Sequence, residues 1–411
     1  MEKVTLELQN ALDKELSLMK NDFYYQQIEI DRDGEKKIVR LDTSFNSLGV
    51  LGGDSYSLRK TIDGKVIFFL LDAMGKGISA SITAATSASL LNYIFDQMKI
   101  QGDFEFEKWI KRYVDFVKNE ILENEMLAIF FGCYDKNRGS FDYASFGMPA
   151  SLMQTCDGEF IKIKSNNAPI SRYTDEFRIK KLDAKRLKKA LFYSDGLCET
   201  RLENGELYRD KMYQDFIDSE NFLDFNKRVR ENIVKRDDDI LYLYIDTLQY
   251  DTDFIEKSIK PSHDAIHETI LEINEYVRKC GAKSKCLSEL SLSLSELMAN
   301  ALEHGVFGID KRVKNVLMEE GKFDTALSEY EERYKDKNIV VKYVVKEESG
   351  CKILIARIED GGKGFDTQTL RKLVISPQHF NGRGIMITKK LLDRFYYNEK
   401  GNSVTLYKFL N

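Results

Sequence analysis

The chain is poor in proline, tryptophan and histidine, and it contains no long apolar run. Its 411 residues include four prolines, one tryptophan and four histidines. The longest apolar runs are strand-sized, far short of the roughly 20 residues that a membrane-spanning helix needs, and the N-terminus lacks signal-peptide character. Lys and Arg number 62 against 67 Asp and Glu. We therefore expect neither a membrane protein nor a nucleic-acid-binding surface, because the latter needs an excess of basic residues.

Cysteine is scarce and is not arranged for metal binding or disulfide exchange. The six cysteines lie far apart, without any CxxC pair, at Cys133, Cys156, Cys198, Cys280, Cys286 and Cys351. This spacing predicts free, buried thiols in a reducing cytosol. At about 150 residues per domain, the length predicts two or three domains. We expect a soluble, cytoplasmic protein.

The N-terminal residues 1–24 are predicted to be helical. Apolar residues recur there three or four positions apart, at Val4, Leu8, Leu12, Leu16, Met19 and Phe23. Such a stripe either packs on its own domain or makes a dimerising or signal-relaying helix.

The rest of the chain divides at a polar stretch, residues 246–262, that contains Pro261. Before it, strand-like runs dominate, interrupted by predicted helices near 76–98 and 104–123. After it, helices are predicted near 263–280, 286–304 and 384–394, with three apolar strands between and after them. The predicted organisation is an N-terminal helix and linker (1–37), a first domain (38–247), a linker (248–262) and a second domain (263–411). Strands and helices in separate groups indicate the α+β class.

Four aspartates of the first domain lie at the ends of apolar, strand-like runs. Asp72 ends "VIFFLLD", Asp54 follows two glycines, Asp195 follows "ALFYS", and Asp238 precedes "ILYLYI". Each one alone is typical of a cap or turn. Several buried carboxylates together, however, cost several kcal/mol each unless cations compensate them. Oxygen-only ligands suit Mg²⁺ or Mn²⁺, and no histidine lies near these motifs, which argues against zinc.

These motifs resemble those of the metal-dependent PPM-type serine/threonine phosphatases, in particular the bacterial SpoIIE-like branch. "GGDSYS", "LLDAMGKGISAS", "LFYSDGLCE" and "DDDILYLYI" occur in the family's order over residues 45–247. The resemblance implies a β-sandwich flanked by helices, with two or three Mn²⁺ or Mg²⁺ ions that activate a water. It implies that Asp72 bridges two ions and that the Ala73 carbonyl binds one of them. Asp195 and Asp238 would bind the other ion, and Asp54 a metal-bound water or a third ion.

Two positions depart from that pattern. Leu241 stands where a Thr is usual, and Met148 stands where relatives often have His. Neither position is a metal ligand in the family, so activity is still expected while its rate is left open.

Three motifs of the second domain point to a nucleotide site. In "LSELSLSLSELMANALEHG", Glu296 and Asn300 are four apart on one helix face, and Gly305 is a plausible C-cap. "ILIARIEDGGKGFD" ends a strand on Asp360, before Gly362 and Gly364. "NGRGIMITKKL" opens a helix behind Gly382 and Gly384, which suits anion binding.

In this order the motifs resemble the GHKL (Bergerat-type) ATPase fold, an α/β sandwich, and within it the anti-sigma-factor serine kinases. The resemblance covers residues 263–411. It implies Asn300 as the ligand of the Mg²⁺ that accompanies ATP, Glu296 as general base, and Asp360 as the adenine-reading carboxylate. Gly362 and Gly364 would shape that pocket, Gly382 and Gly384 would contact phosphate, and residues 367–381 would form a lid. An inserted helical stretch, 310–338, is either a partner surface or an elaborated connection.

A histidine kinase is the obvious alternative for the second domain, because "PSHDAIHETILEI" offers His263 and His267. The 33 positions between His267 and Asn300 are too few for a phosphoacceptor helical hairpin before the ATP site. A first helix of the ATPase domain is the better interpretation.

The two resemblances together imply a partner-switching regulator. The phosphatase and a serine kinase would act on one STAS-type anti-anti-sigma protein, and a sigma factor is a further possible partner. A homodimer could form through the N-terminal helix or the second domain. Two alternatives stay open: an ATP-binding half that gates the phosphatase without phosphotransfer, and a scaffold with degenerate sites.

Overall fold

A computed structural model describes residues 11, 13–32, 34–49, 51–75, 77–121, 123, 125–233, 235–249, 253–348, 351–371 and 383–410. By their contacts the residues form two compact units. The first unit comprises Met1–Phe23 and Ile30–Gln249, and the second comprises Tyr24–Glu29 and Tyr250–Asn411.

The described strands up to residue 249 form two antiparallel sheets, and all of them belong to the first unit except for residues 27–29. The five-stranded sheet has the order β3-β4-β5-β6-β9, and the six-stranded sheet has the order β1-β2-β11-β10-β7-β8. The strands are β1 (Gln27–Arg32), β2 (Glu35–Asn46), β3 (Asp54–Lys60), β4 (Val66–Ala73), β5 (Leu127–Asp135), β6 (Ser140–Phe146), β7 (Ser151–Thr155), β8 (Phe160–Ile163), β9 (Lys180–Asp183), β10 (Leu187–Tyr193) and β11 (Ile240–Gln249). The helices are α1 (Ile78–Gln101), α2 (Phe106–Glu120), α3 (Asp195–Glu199), α4 (Arg209–Asp218) and α5 (Phe222–Asn232).

Strand β4 is apolar throughout because both of its faces are buried. Phe69 and Leu71 pack with the residues of α1 and α2 in one core. Phe68, which points the other way, lies 4.9 Å from the ring of Phe192 on the opposite sheet. Gly132 is the β5 partner of Phe68, and a Cβ at that position would come within 2.3 Å of the Phe68 ring. The result is a helix–sheet–sheet arrangement, which is the helix-flanked β-sandwich that the sequence predicts.

The N-terminal helix is shorter than the sequence predicts. Among the described residues it ends at Leu18, whereas Val4, Leu8 and Leu12 lie outside the described residues. Asn21 then forms a bridge with Leu58, and the Asn21 side chain accepts a hydrogen bond from the Phe23 amide. Met19 and Phe23 are buried even so, because this segment docks on the edge of β3 rather than continuing the helix.

Helix α1 is long and apolar enough to cross a membrane by length and composition alone. The helix itself is predicted near 76–98, but its apolar length is not, because Ser, Thr and Asn divide its apolar residues into short runs. Half of its most apolar window is buried in the protein. The buried residues include Ala84, Ala88 and Leu91, which pack on the sheet. That arrangement is typical of a core helix.

The second unit is a two-layer α/β sandwich, as the sequence predicts. Its described strands form an antiparallel sheet in the order β12-β13-β14-β16-β15. The strands are β12 (Ile255–Ile259), β13 (Ile339–Glu348), β14 (Cys351–Glu359), β15 (Arg394–Tyr397) and β16 (Ser403–Phe409). The helices are α6 (His263–Lys279), α7 (Ser284–Asn300), a π-helix (Ala301–Val306), α8 (Lys311–Glu319), α9 (Phe323–Arg333), a 3₁₀ helix (Thr367–Arg371) and α10 (Arg383–Leu391). Leu354 and Ala356 of β14 face the core shared with the helices.

The six cysteines, all among the described residues, form no disulfide, as predicted, but only some of them are buried. Cys133, Cys198 and Cys286 are buried, Cys156 is exposed, and Cys280 and Cys351 are partly exposed. The expectation of uniformly buried thiols is wrong at the last three, which lie in a turn, at a helix end and at a strand start.

A buried ion pair links two neighbouring strands of the six-stranded sheet, β2 and β11. Arg40 of β2 lies opposite Asp246 of β11, and two of its nitrogens, Nε and Nη2, donate to the two carboxylate oxygens at 2.7 Å each. The two side chains are 5% and 2% exposed. Removing one partner of such a pair leaves an uncompensated charge in the core.

We expect Arg40→Leu to lower the free energy of unfolding of the first unit by about 3–5 kcal/mol. The double variant Arg40→Leu/Asp246→Leu should recover most of that loss, because neither charge is then buried alone. Trp109, the one tryptophan of the chain, is buried in this unit, so its fluorescence in a urea titration reports this unfolding. Asp175→Ala, which removes an exposed pair with Lys118, is the control and should cost less than about 1 kcal/mol. A loss that small in Arg40→Leu would contradict the prediction.

Candidate functional site

The two aspartates of the β3–β4 pair lie directly opposite each other. Asp54, the first residue of β3, is the register partner of Asp72 near the end of β4. Opposed residues of antiparallel strands project from the same face, so the two carboxylates are neighbours. Asp54 is 3% exposed, and its Oδ2 has no hydrogen-bond partner. Burying a carboxylate oxygen without a hydrogen-bond donor costs free energy, and a bound cation would offset that cost.

Asp195 and Asp238 are brought to this place by two neighbouring strands of the other sheet. Asp195 opens α3 directly after β10, and Asp238 precedes β11. A Cβ at Gly196 would lie 1.9 Å from the Asp239 carbonyl oxygen. Only glycine therefore lets the start of α3 pack so closely on the start of β11, which explains the Asp-Gly pair. The structure brings together all four predicted aspartates.

Burial, and after it the crowding of negative charge, raises the pKa values of Asp54, Asp72 and Asp195. Burial, and next the charge of Asp195, raise the pKa of Asp72 to about 8. Burial and then the charge of Asp72 raise the pKa of Asp54 well above its usual range. The pKa of Asp195 is also raised, mainly by burial. The hydrogen bond between the Asp72 and Asp195 carboxyl groups contributes to the rise at Asp72 and partly offsets the rise at Asp195.

Divalent cations fit this donor set, although the side chains are not yet arranged as a cage. Among the residues that the structure describes, no three His, Cys, Asp or Glu side chains stand close enough to hold one ion as they are. The Ala73 carbonyl oxygen lies beside Gly53, where a Cβ would come within 3.3 Å of it. Carboxylate and carbonyl oxygens are the ligands that Mg²⁺ and Mn²⁺ prefer.

Two acidic residues that the sequence analysis did not single out hold the loop before Asp54. The Asp239 carboxylate accepts hydrogen bonds from the amides of Leu48 and Gly53, each at 2.6 Å. Glu15 of the N-terminal helix accepts from the Gly52 amide at 2.7 Å, and burial raises its pKa to about 7. Asp239 was hidden within the Asp-Asp-Asp run, where sequence alone does not distinguish a site residue from its neighbour.

An open pocket of about 410 Å³ lies over Asp72 and Asp195. Tyr193, Cys198, Glu199 and Arg209 also line it. Arg209 donates to Glu199 at 3.0 Å, and it is the one Lys or Arg among the described residues lining this pocket. The Cys198 thiol is buried, which raises its pKa to about 11, so it is not a nucleophile near neutral pH.

The second unit contains the other predicted site, a cavity of about 930 Å³ lined by Glu296, Asn300, Asp360, Gly364 and Gly384. Glu296 and Asn300 share a face of α7, as predicted. A Cβ at Gly384 would lie 1.8 Å from the Glu296 Oε2, so a larger residue at 384 would displace this carboxylate from its position against the start of α10.

Asp360 reaches the cavity from the end of β14. Its Oδ1 accepts a hydrogen bond from the Gly362 amide at 2.7 Å, and burial raises its pKa to about 6. Gly305, interpreted from sequence as a C-cap, has a different role. The chain continues past it as a π-helix, and a Cβ at Gly305 would lie 2.3 Å from the Asp360 side chain. Gly305 therefore makes room for Asp360, and the C-cap prediction is wrong.

The predictions for the phosphate contact and the lid of this site fall partly on residues that the structure does not describe. Gly382 and residues 372–381 of the predicted lid lie outside the described residues. Gly364 has a positive φ of 77° and packs where a Cβ would meet the Lys400 carbonyl.

His263 and His267 are exposed on α6, and Ile266 and Ile270 of that helix belong to the core of the unit. Helix α6 therefore packs as a core helix of the second unit, as its interpretation as a first helix of that domain requires.

In comparisons with known proteins, one family model matches a part of each unit. Residues 62–248 match the family model of Stage II sporulation protein E (SpoIIE). Residues 259–408 match that of the histidine kinase-like ATPase domain. The phosphoserine phosphatase RsbP of Bacillus subtilis (strain 168) is 26% identical over 166 residues, which cover 39% of this chain and 40% of RsbP. The match thus spans less than half the length of that relative.

Solved structures resemble the chain at low sequence identity. The RsbU and RsbW domains of a Mycobacterium tuberculosis protein share 15% identity and a TM-score of 0.46, covering 93% of this chain and 96% of that one. The SiaA-PP2C domain of Pseudomonas aeruginosa shares 15% identity and a TM-score of 0.46, covering 61% and 98%. The chain thus joins a region that matches the SpoIIE family to a region that matches the histidine kinase-like ATPase domain family.

Proposed function

We propose that the first unit is a divalent-metal-dependent phosphatase acting on phosphoserine or phosphothreonine in a protein. The observation that carries this proposal is the buried group of aspartates, with an orphaned oxygen on Asp54, beneath an open pocket. Asp72 would hold two ions, with the Ala73 carbonyl on one, Asp195 and Asp238 on the other, and Asp54 on a water or a third ion. Bound Mn²⁺ or Mg²⁺ would supply charge neutralisation and an activated water for attack on phosphorus.

The chain's own residues would position the substrate and the carboxylates. Asp239 and Glu15 fix the glycine loop, so Asp54 enters the site in one orientation. Ser194 hydrogen-bonds the Asp54 carboxylate. The Arg209 guanidinium can donate to the oxygens of a phosphate monoester, because only one of its nitrogens is engaged by Glu199.

We propose that the second unit binds Mg·ATP and acts as a serine kinase. Asn300 would hold Mg²⁺, Asp360 would accept from the adenine amine, and Glu296 would polarise the attacking hydroxyl. Gly362, Gly364 and Gly384 leave room for the nucleotide along the cavity wall, and Gly382 would complete the phosphate contact. The family match supports nucleotide binding, and the cavity that joins all three polar side chains supports this distribution of roles.

Opposed activities in one chain favour a partner-switching regulator. Both units would act on the same serine or threonine of a STAS-type anti-anti-sigma protein, and the second unit could also bind a sigma factor. Nucleic acid and membrane are not expected partners, and the expected location is the cytoplasm. A homodimer could form through the N-terminal helix or the second unit. The alternative is that ATP binding gates the phosphatase without phosphotransfer.

Asp72→Asn should abolish hydrolysis of a phosphoserine protein or peptide in the presence of Mn²⁺. The loss should exceed about 100-fold, because even outer-shell partners of a metal contribute about 10–100-fold. The measurement is phosphate release under saturating Mn²⁺. Asp63→Asn, at the exposed turn of the same β-hairpin, is the matched control and should keep wild-type activity. Asn300→Ala should keep it too, while losing Mg·ATP binding. Full activity in Asp72→Asn would remove the metal-bridge assignment.

Phosphotransfer is best tested in the Asp72→Asn background, because an active phosphatase unit would remove the phosphate that the second unit transfers. Incubation with γ-labelled ATP and an anti-anti-sigma protein that co-purifies with the chain should label a serine or threonine of that protein. Adding Glu296→Gln should abolish labelling and preserve ATP binding, because only the proton acceptor is lost. Binding of ATP with no label transfer in the Asp72→Asn protein would favour the gating alternative.

Nucleotide affinity should depend on the ionisation of Asp360. The adenine amine donates a hydrogen bond, so the ionised carboxylate binds it better. Because the pKa is about 6, Asp360 is ionised at pH 7 and largely protonated at pH 5, and affinity for Mg·ATP should fall roughly tenfold between them. Titration calorimetry at saturating Mg²⁺ measures this. Asp360→Asn should bind more weakly at pH 7 and show a flatter profile, and an equally steep profile would contradict the assignment.

A further inference from the structure

The inserted stretch between the Asn300 motif and β13 contributes side chains to the nucleotide cavity. Asp310 caps α8 by accepting from the amides of Arg312 and Val313 at 2.7 and 2.9 Å. One turn later, Lys314 and Asn315 line the same cavity as Asn300. The insertion is therefore more than a connection that passes over the surface.

Lys314 is held in place by a buried carboxylate next to the Asn300 motif. Its Nζ lies 2.5 Å from Oε2 of Glu303, a residue of the π-helix that is 4% exposed. The ammonium also lies 5.3 Å from the ring centroid of Phe323, on α9. Because an ammonium has three N–H donors, pairing with Glu303 leaves others to face the cavity.

Carboxylates outnumber basic side chains among the described residues that line the cavity, so a cation at this position would reduce the excess of negative charge. The described carboxylates that line it are Glu296, Asp310 and Asp360. Lys314 is the one Lys or Arg among the described lining residues. A triphosphate entering such a cavity meets mostly like charge, and an ammonium at its wall offsets part of that repulsion.

We propose that Lys314 binds a phosphate of the nucleotide, so that the insertion forms part of the ATP site. This inference rests on the proposed function, that the cavity binds Mg·ATP. Glu303 is then a positioning residue, since it orients the ammonium without touching the ligand. The competing explanation is that the Lys314–Glu303 pair only anchors α8 to the rest of the unit.

The test compares phosphate-bearing and phosphate-free ligands on the full-length protein. Lys314→Met keeps the length of the side chain and removes its charge. Affinity for Mg·ATP should fall about 10-fold or more, as for the loss of a hydrogen bond to a charged group, whereas affinity for adenosine should stay within about twofold. Lys314→Arg should retain most of the Mg·ATP affinity. Lys322→Met, in the same insertion and paired with Glu320 on the surface, is the matched control and should change neither.

The outcomes separate this inference from the proposed function. Equal weakening of ATP and adenosine binding by Lys314→Met, together with a lower melting temperature, would mean that Lys314 only anchors α8 and would overturn the inference. Unchanged affinity for both ligands would also overturn it. If the wild-type protein binds no nucleotide, the proposed function of the second unit fails, and this inference fails with it.

Discussion

The repulsion among carboxylates gathered at strand ends is the constraint on which the first site depends. Asp72 keeps its proton to a pH near 8 because burial and the charge of Asp195 oppose ionisation. The neighbouring Asp239 is held by backbone contacts, because its carboxylate accepts hydrogen bonds from the amides of Leu48 and Gly53. If stability were the only requirement on this domain, apolar side chains would be expected at these positions, because a buried charge without a partner destabilises a core.

Both sites achieve close packing around acids by means of glycine. Gly196 lets α3 approach the Asp239 carbonyl, Gly305 makes room for Asp360, and Gly384 lies against Glu296. At these positions φ is not in the left-handed region, so the reason for glycine is the missing Cβ rather than backbone freedom. In each site, the positions of the acidic side chains therefore depend on the glycines that pack beside them.

The sequence predicts the class of both domains because the strands buried on two faces are continuously apolar, as Phe68 and Phe69 illustrate. It predicts the aspartates of the first site because each interrupts such a run at its end. It does not predict Arg209, Glu15 or Lys314, whose positions depend on how separate elements pack. Gly305 was misinterpreted because a C-cap and a close contact both require glycine, and only the tertiary structure distinguishes them. Helices α4 and α5 were missed because their polar residues outnumber the apolar ones that face the core.

The charges of the two sites also determine the order in which their proposed ligands can bind. The described residues lining the phosphatase pocket include the carboxylates of Asp72, Asp195 and Glu199 against one guanidinium. A phosphate monoester carries the same sign as this wall, so it is repelled until cations have reversed the local potential. The nucleotide cavity has the same balance, because its described lining residues include three carboxylates and one ammonium, that of Lys314. On the proposed functions, both sites therefore depend on divalent ions for ligand affinity as well as for chemistry, and the chain itself supplies one basic side chain to each.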